Sequence, residues 1–192
     1  LDHGYQLYTS GSSGAPKAVL LRHDGLVANT FNAGRSLGLD ASDVTLLSIP
    51  LCFSFGCVQA LLDTLSHGGT VVLQERFEPA EAVALIEAHR VTTVFMFGEM
   101  IRQLTEVENF RPSKLASLRK GRVGHARADI EFAIDHLGMD AACMGYGMTE
   151  LYGTCALTHW DDDRALKVDS WVEALPNVEV RIVDPNTGRD VA

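Results

Sequence analysis

Short apolar runs alternate with amphipathic segments along most of this chain. The runs predict strands at residues 5–9, 18–21, 44–49, 70–73, 92–97, 118–123 and 141–146. The segments between them predict helices at residues 24–37 (with Asp24 as N-cap), 55–66, 80–89, 99–107 and 129–137. Elements that alternate in this way form a sheet covered by helices. The sequence therefore predicts the α/β class, with a layered, mixed and largely parallel sheet and flanking helices.

The alternation stops at residue 159, where a charged stretch predicts a loop to residue 169. Residues 178–183 then alternate again and lead into a strong turn at residues 184–188. We interpret residues 1–158 as one α/β subdomain, and residues 159–192 as a connecting loop and the first strand of a small following β subdomain. Because the chain begins with Leu rather than Met, directly before a strand, we expect a piece of a longer protein.

The charge and the cysteines narrow the classes of function. The formal charge is −9, with 16 basic and 25 acidic side chains, so a general attraction to nucleic acid is not expected. A polyanion would need a local binding device. No stretch approaches the roughly 18 apolar residues of a membrane span, and no signal peptide is visible, so we expect a cytoplasmic protein. The cysteines match neither a zinc motif nor a disulfide framework and are expected to be reduced and mostly buried.

One loop between two predicted strands is made of glycine and hydroxyl residues and closes on a Pro-Lys pair. Its glycines allow successive N–H groups to point into one concavity, and a lysine adds a charge for a phosphate oxygen. A flexible linker is one alternative. A P-loop is another, but it requires Gly-Lys-Ser/Thr at the start of a helix, whereas a strand is predicted here. The candidate phosphate-binding residues are Thr9, Ser10, Gly11, Ser12, Ser13, Gly14 and Lys17.

A second motif, Gly145-Tyr146-Gly147-Met148-Thr149-Glu150, follows the last predicted strand. The glycines let a flat group approach the backbone, and Tyr146 offers that group an aromatic face. A hydroxyl at Thr149 suits a phosphate, and a carboxylate at Glu150 suits Mg²⁺. The alternative interpretation is a turn at the end of a strand with a tyrosine in the core.

Together the two motifs resemble, in order and spacing, the signatures of the adenylate-forming superfamily, which includes acyl-CoA synthetases, aryl-CoA ligases and peptide-synthetase adenylation domains. Ala18 replaces the usual glycine of the first signature. The resemblance implies that Tyr146 lies against adenine, that Thr149 contacts the α-phosphate or the adenylate, and that Glu150 holds Mg²⁺. A weaker match at Gly124, His125 and Ala126 would line the adenine and acyl pockets, although only Gly124 and Ala126 agree with the family's pattern.

Many ligases of this superfamily carry Pro-Leu-Phe-His-x-x-Gly where this chain has Pro50-Leu-Cys-Phe-Ser-Phe-Gly56. The resemblance assigns Phe53 and Phe55, with Gly147 and Met148, to the pocket for the acid. Core packing is the alternative for the two phenylalanines. Because residues 50–56 contain no acidic side chain to pair with an ammonium, an acyl or aryl acid is favoured over an amino acid.

The reaction implied by the resemblance uses ATP and Mg²⁺ to convert a carboxylic acid into an acyl-adenylate. The thiol of CoA or of a carrier protein's phosphopantetheine then displaces AMP. Family members also have a preceding segment, a downstream Thr-Gly-Asp motif and a C-terminal domain with a catalytic lysine, none of which lies within these residues. We therefore expect residues 1–192 to be inactive alone. The competing interpretation is a non-catalytic nucleotide-binding or scaffold module from a degenerate paralogue.

Overall fold

The computed structural model describes residues 3–10, 14–169 and 172–191. It begins with a hairpin of two antiparallel strands, β1 (His3–Thr9) and β2 (Lys17–Arg22), in which Thr9 is paired with Lys17. Lys17 begins a strand and not a helix, which agrees with the rejection of a P-loop from the sequence. Helix α1 (His23–Ser36) follows directly, with Arg22 at its N-cap. Asp24 therefore lies inside the first turn, where its carboxylate accepts hydrogen bonds from Arg22, and its prediction as N-cap is wrong.

Five parallel strands form the main sheet in the order β4-β3-β5-β6-β7. These strands are β3 (Val44–Leu47), β4 (Thr70–Leu73), β5 (Thr93–Met96), β6 (Lys120–Val123) and β7 (Ala141–Cys143). The helices between them are a π-helix (Phe55–Asp63) continued by α2 (Thr64–Ser66), then α3 (Pro79–His89), α4 (Gly98–Thr105) and α5 (Arg127–Leu137). The predicted α/β class, with a parallel sheet and flanking helices, is confirmed.

The core lies on both faces of this sheet. On one face α3, α4 and α5 pack against side chains such as Val94 and Met96, and on the other α1 and the π-helix pack against Phe95 and Cys143. Successive residues of β5 point to opposite faces, as a strand requires. Because helices cover both faces, the strand reads as a continuous apolar run. Each large apolar side chain that is fully buried contributes about 1.5–3 kcal/mol.

The chain leaves the main sheet earlier than the sequence predicted. The strand expected at residues 141–146 ends at Cys143, and Met144 instead exchanges hydrogen bonds with Thr158. A small antiparallel sheet is built from β8 (Gly145–Tyr146), β9 (Ala156–Leu157) and β10 (Glu173–Ala174). The second motif therefore begins where the chain passes from one sheet to another.

Two expectations for the last part of the chain are wrong. The charged stretch at residues 159–169 contains helix α6 (Arg164–Val168), whose Lys167 is buried and donates hydrogen bonds to the carbonyls of Asp140 and Trp160. Residues 178–183 form no strand, and only Val183 makes an isolated bridge, to Asp190. The described residues provide no neighbouring strand for this segment. Val178 is partly buried, whereas Val180, Ile182 and Val183 stay exposed. The division at residue 158 stays a prediction.

No helix within the described ranges has both the length and the apolar character needed to span a bilayer. The four cysteines are free thiols, of which Cys52 is exposed and the other three are buried, as predicted.

Candidate active site

The strand order indicates a binding crevice at the edge of the main sheet that is formed by the carboxyl ends of its strands. The chain runs from β3 outward to β4 and then returns to β5 on the opposite side of β3. In doubly wound sheets, ligands bind outside the carboxyl ends of the strands at such a switch point. The segments that leave β3 and β6 at this edge include two parts of the predicted site, residues 50–56 and residues 124–126. The segment that leaves β5 begins with Phe97, which was not predicted.

A small cavity of about 290 Å³ lies at this edge. It brings together the end of β1 and the second motif, which are some 140 residues apart in sequence. The predicted site residues that line it are Thr9, Phe55, His125, Gly147, Met148, Thr149 and Glu150. Ser54, Gln59, Phe97, Arg122 and Gly153 also line it and were not predicted.

A large cavity of about 660 Å³ adjoins the small one and shares Ser54, Phe55, Phe97 and Thr149 with it. The hydroxyl oxygens of Ser54 and Thr149 are 3.3 Å apart where the two cavities meet. The remaining walls of the large cavity are Ser48, Ile49, Pro50, Phe53, Glu75, Arg76, Phe77 and Met100. Four phenylalanines therefore surround a mainly apolar space beside the small cavity.

The segment 145–154 holds its shape through its backbone. After β8 it forms a short 3₁₀ helix (Thr149–Leu151), and the N–H of Gly153 then donates to the carbonyl of Met148 at 3.0 Å. A Cβ on Gly147 would lie 2.2 Å from the carbonyl oxygen of Gly153, so only glycine permits this approach. Glu150 is exposed at the rim and makes no ion pair with any residue in the described part of the chain.

The Asp129 carboxylate holds the loop at residues 124–126 in place. Gly124 has φ +60°, a conformation that favours glycine, and the Asp129 carboxylate accepts the backbone N–H groups of His125 (3.0 Å) and Ala126 (3.2 Å). Arg102 donates to the same carboxylate at 2.7 Å. Burial alone would raise the pKa of Asp129, but these hydrogen bonds outweigh it and hold the pKa below its usual range.

The first motif is described only in part. Gly11, Ser12 and Ser13 lie outside the described residues. Ser10 and Gly14 are exposed, and Lys17 is an exposed lysine beside Thr9 that forms no ion pair within the described ranges. Strand β2 contacts the 3₁₀ helix that carries Thr149 and Glu150, so the hairpin and the second motif are neighbours.

Four other predicted site residues, Gly124, Ala126, Gly145 and Tyr146, line neither cavity. Tyr146 is 57% exposed, so its alternative interpretation as a core tyrosine is wrong. Core packing is also wrong for Phe53, which is 58% exposed. Phe55 is half-buried, with its ring centroid 5.0 Å from that of Phe97, and therefore serves the core and the cavity together.

A polar network that the sequence did not reveal forms part of the wall of the small cavity. Arg122 of β6 donates to the Gln59 amide oxygen, to the Thr154 hydroxyl (2.9 Å) and to the Gly145 carbonyl (3.0 Å). Burial lowers the pKa of Arg122 to about 10, although the carboxyl of Asp63 opposes this effect. Burial also raises the pKa of Asp63 well above its usual value, despite the attraction of Arg122. A buried arginine within a parallel strand was the one available sign of this network.

The carboxylate of Glu150 fits a Mg²⁺ site only together with a bound nucleotide. No group of three or more His, Cys, Asp or Glu side chains able to hold a metal occurs within residues 3–10, 14–169 and 172–191. Magnesium, however, is commonly bound by one or two carboxylates together with substrate phosphates and water. A single free carboxylate at the rim of the cavity meets that requirement.

The chain belongs to the AMP-binding enzyme family, whose model matches residues 2–192. It is similar to a feruloyl-CoA synthase from Amycolatopsis sp, with 34% identity over 75% of this chain and 30% of the relative. It is also similar to 4-coumarate–CoA ligase 1 of Oryza sativa subsp. japonica, with 30% identity over 96% of this chain and 34% of the relative. Among solved structures, ATP-bound MatB from Rhodopseudomonas palustris superposes with a TM-score of 0.81 and 26% identity, over 97% of this chain and 37% of that one. The chain thus spans about a third of the length of the relatives it matches.

Proposed function

We propose that this chain is the nucleotide-binding core of an AMP-forming ligase, which activates a carboxylic acid with ATP and transfers it to the thiol of CoA or phosphopantetheine. One observation carries the proposal: Thr9, at the end of β1, and Thr149 with Glu150 line the same cavity at the carboxyl edge of the sheet. Family membership supports it, as do the CoA ligase names of the relatives and the ATP bound by MatB.

In this proposal the two cavities bind different substrates. The small cavity takes the α-phosphate region of ATP, with Thr149 donating to a phosphate oxygen and Lys17 reaching the polyphosphate from the hairpin. Glu150 would hold Mg²⁺, which supplies charge neutralisation for the phosphates. The remaining loop residues (Ser10 to Gly14) would cradle the polyphosphate, while Tyr146, Gly145 and residues 124–126 would flank the adenine. Because the protein takes little part in the covalent chemistry at the phosphate, positioning and electrostatics would provide most of the rate acceleration.

The large cavity is proposed to hold the acid. Its apolar walls, Phe53, Phe55, Phe77, Phe97 and Met100, suit an acyl or aryl chain whose carboxylate would lie near Thr149, where the two cavities join. Its two charged residues, Glu75 and Arg76, are sequence neighbours of opposite sign and leave no net charge for an ammonium group. This favours an uncharged acyl or aryl acid over an amino acid.

The test uses the full-length protein that contains this chain, in ATP–pyrophosphate exchange and acyl-CoA synthesis with a panel of aryl, fatty and amino acids. Lys17→Ala and Glu150→Ala are each expected to reduce exchange by about 10²–10³-fold, as removal of one preorganised electrostatic contact does. Asp24→Ala, on the exposed surface beside the hairpin, is the matched control. Unchanged exchange in both variants would favour a scaffold module. A clear preference for amino acids would reject the assignment of the acid.

The isolated 192 residues are expected to give no acyl-CoA, because the ligases they resemble are about three times as long. Acyl-CoA formed by the purified chain alone would contradict this expectation.

A further inference from the structure

Strand β6 carries two buried cations, Lys120 and Arg122, which are compensated in different ways. Lys120 lies at the amino end of the strand with its Nζ 3.0 Å from the buried carboxylate of Asp43, so its charge is neutralised directly. Arg122 lies at the other end and forms no ion pair within the described ranges. A buried cation without an ion pair is costly unless its N–H groups are used. The partners of Arg122 therefore indicate its role.

Within the described ranges, the Arg122 guanidinium donates its hydrogen bonds to two elements, the π-helix and the segment 145–154. Its Nη2 donates to the carbonyl of Gly145, the residue before Tyr146, and its Nη1 donates to the hydroxyl of Thr154. These two residues stand at the two ends of the segment that carries Thr149 and Glu150. One planar guanidinium thus joins both ends of the second motif, a geometry that a lysine could not reproduce.

The π-helix completes this attachment. Because a π-helix closes its hydrogen bonds one residue later than an α-helix, residues four apart lie closer to one line along its surface. Phe55, Gln59 and Asp63 have this spacing, and all three interact with Arg122. The guanidinium carbon lies 5.5 Å from the Phe55 ring centroid, the Gln59 amide oxygen accepts a hydrogen bond, and Asp63 acts through its charge. Gln59 also donates to the carbonyl of Gly153 at 2.8 Å, which gives the segment a third attachment.

We propose that Arg122 and Gln59 form a positioning pair that fixes the segment 145–154, so that Thr149 and Glu150 face the hairpin across the small cavity. The expected effect on catalysis rests on the proposed function. The expected effect on the structure of the segment 145–154 does not. An error of about 1 Å in the placement of groups around a reacting centre can reduce the rate about 10²-fold. Loss of the pair should therefore impair the use of ATP with any acid, without changing which acid is preferred.

The experiment compares Arg122→Met and Gln59→Leu with the wild type in the full-length protein. The first readout, amide hydrogen exchange of residues 145–154, requires no activity. Both variants should exchange faster in this segment than the wild type, by about tenfold or more. The second readout is kcat/KM for ATP, which should fall about 10–100-fold while the ratio of kcat/KM values between two acids stays constant.

Lys120→Met is the matched control, because it removes the other buried cation of the same strand. It should lower the melting temperature but leave the exchange of residues 145–154 and the KM for ATP unchanged. If Arg122→Met does not fold, Gln59→Leu carries the test, since it keeps the cation and removes the bonds to Arg122 and Gly153.

Two results would overturn the proposal. A changed preference among acids, with unchanged hydrogen exchange in residues 145–154, would make Arg122 a contact of the acid substrate. Unchanged exchange and unchanged kinetics in Gln59→Leu would show that the pair does not position the segment. If the wild type shows no ATP-dependent activity, the proposed function fails, while the exchange measurement still decides whether the pair fixes the segment.

Discussion

Two walls of the small cavity, the hairpin β1–β2 and the segment 145–154, differ in how firmly the rest of the fold holds them. The hairpin β1–β2 is a separate two-stranded sheet, anchored through Leu7 and Leu21 to a minor cluster, and its other face is exposed. The segment 145–154 is instead hydrogen-bonded to β6, to the π-helix and to itself. Two-stranded hairpins are marginally stable on their own. The wall proposed to bind the polyphosphate is therefore the less constrained one, and the wall that carries Thr149 and Glu150 is the more rigid.

This difference suits the order of events in the proposed reaction. A wall that binds a flexible polyphosphate gains from being able to adjust, whereas groups that surround the reacting phosphorus must already be in place. The contrast predicts that equivalent substitutions will have unequal effects in the two walls.

The largest effect is expected from Gly147→Ala. The new Cβ would lie 2.2 Å from the carbonyl oxygen of Gly153 and 2.7 Å from Cα of Thr154, and backbone atoms cannot rotate away. We expect a loss of about 1–3 kcal/mol in the free energy of unfolding, as for other overpacked sites. We also expect a fall in kcat/KM for ATP of about 10²-fold, because Thr149 is displaced. Urea denaturation and pyrophosphate exchange measure the two quantities.

Gly4→Ala in β1 is the matched substitution in the hairpin. Its Cβ would meet the end of the Leu26 side chain and the ring of His23, which can move aside. We expect a change in the free energy of unfolding within about 0.5 kcal/mol, as is usual at sites that relax. Equal losses in the two variants would show that the walls do not differ in rigidity.

The sequence predicted candidate site residues in both walls but not the difference in how the walls are supported. The glycine-hydroxyl loop and the Thr149-Glu150 pair are local patterns, so each could be recognised from a stretch of about ten residues. The support of the second wall joins Gln59, Arg122 and Thr154, which share no local pattern. A π-helix adds to the difficulty, since its spacing resembles that of an α-helix and residues 55–66 were predicted simply as a helix.

The strand errors have a related cause. Residues 141–146 read as one strand because apolar periodicity does not show that the chain changes sheets after Cys143. Residues 178–183 alternate as a strand should, but pairing needs a neighbouring strand, and none is available among the described residues. Local pattern thus predicted the parallel sheet well, because helices cover both of its faces and its strands read as apolar runs. The roles of the individual site residues stay predictions.

A second, smaller effect is expected from Asp129→Asn, which weakens the support of the loop at residues 124–126. Because hydrogen bonds lower the pKa of Asp129, the native state is stabilised by its charge at pH values above the unfolded pKa of about 3.9. This stabilisation disappears as the pH falls through the native pKa. At pH 7 the variant should lose about 1–2 kcal/mol, its deficit should vanish at low pH, and its KM for ATP should rise a few-fold.

Thermal unfolding from pH 3 to pH 8, with Asp135→Asn as the control, tests this prediction. Asp135 is an exposed carboxylate on the same helix, paired with Arg164. A deficit of Asp129→Asn that does not depend on pH would contradict the role of the charge.

An effect of opposite sign is expected at Asp63, which lies next to Arg122 behind the rigid wall. Its carboxyl is fully buried, its Oδ1 has no hydrogen-bond partner in the described part of the chain, and burial raises its pKa. The native state therefore holds this proton more tightly than the unfolded chain does, and stability falls as the pH rises from about 3.9 towards the native pKa. Asp63→Asn keeps the shape and removes the ionisation.

We expect Asp63→Asn to match the wild type near pH 4 and to exceed it at pH 8 by about 1 kcal/mol, or roughly 2–4 °C in melting temperature. A gain in stability together with reduced ATP use would indicate that the rigid wall retains a destabilising carboxyl because it helps to orient Arg122. A gain with unchanged kinetics would show that Asp63 does not help Gln59 and Arg122 to position the segment 145–154. A loss of stability at pH 8 would contradict the raised pKa itself.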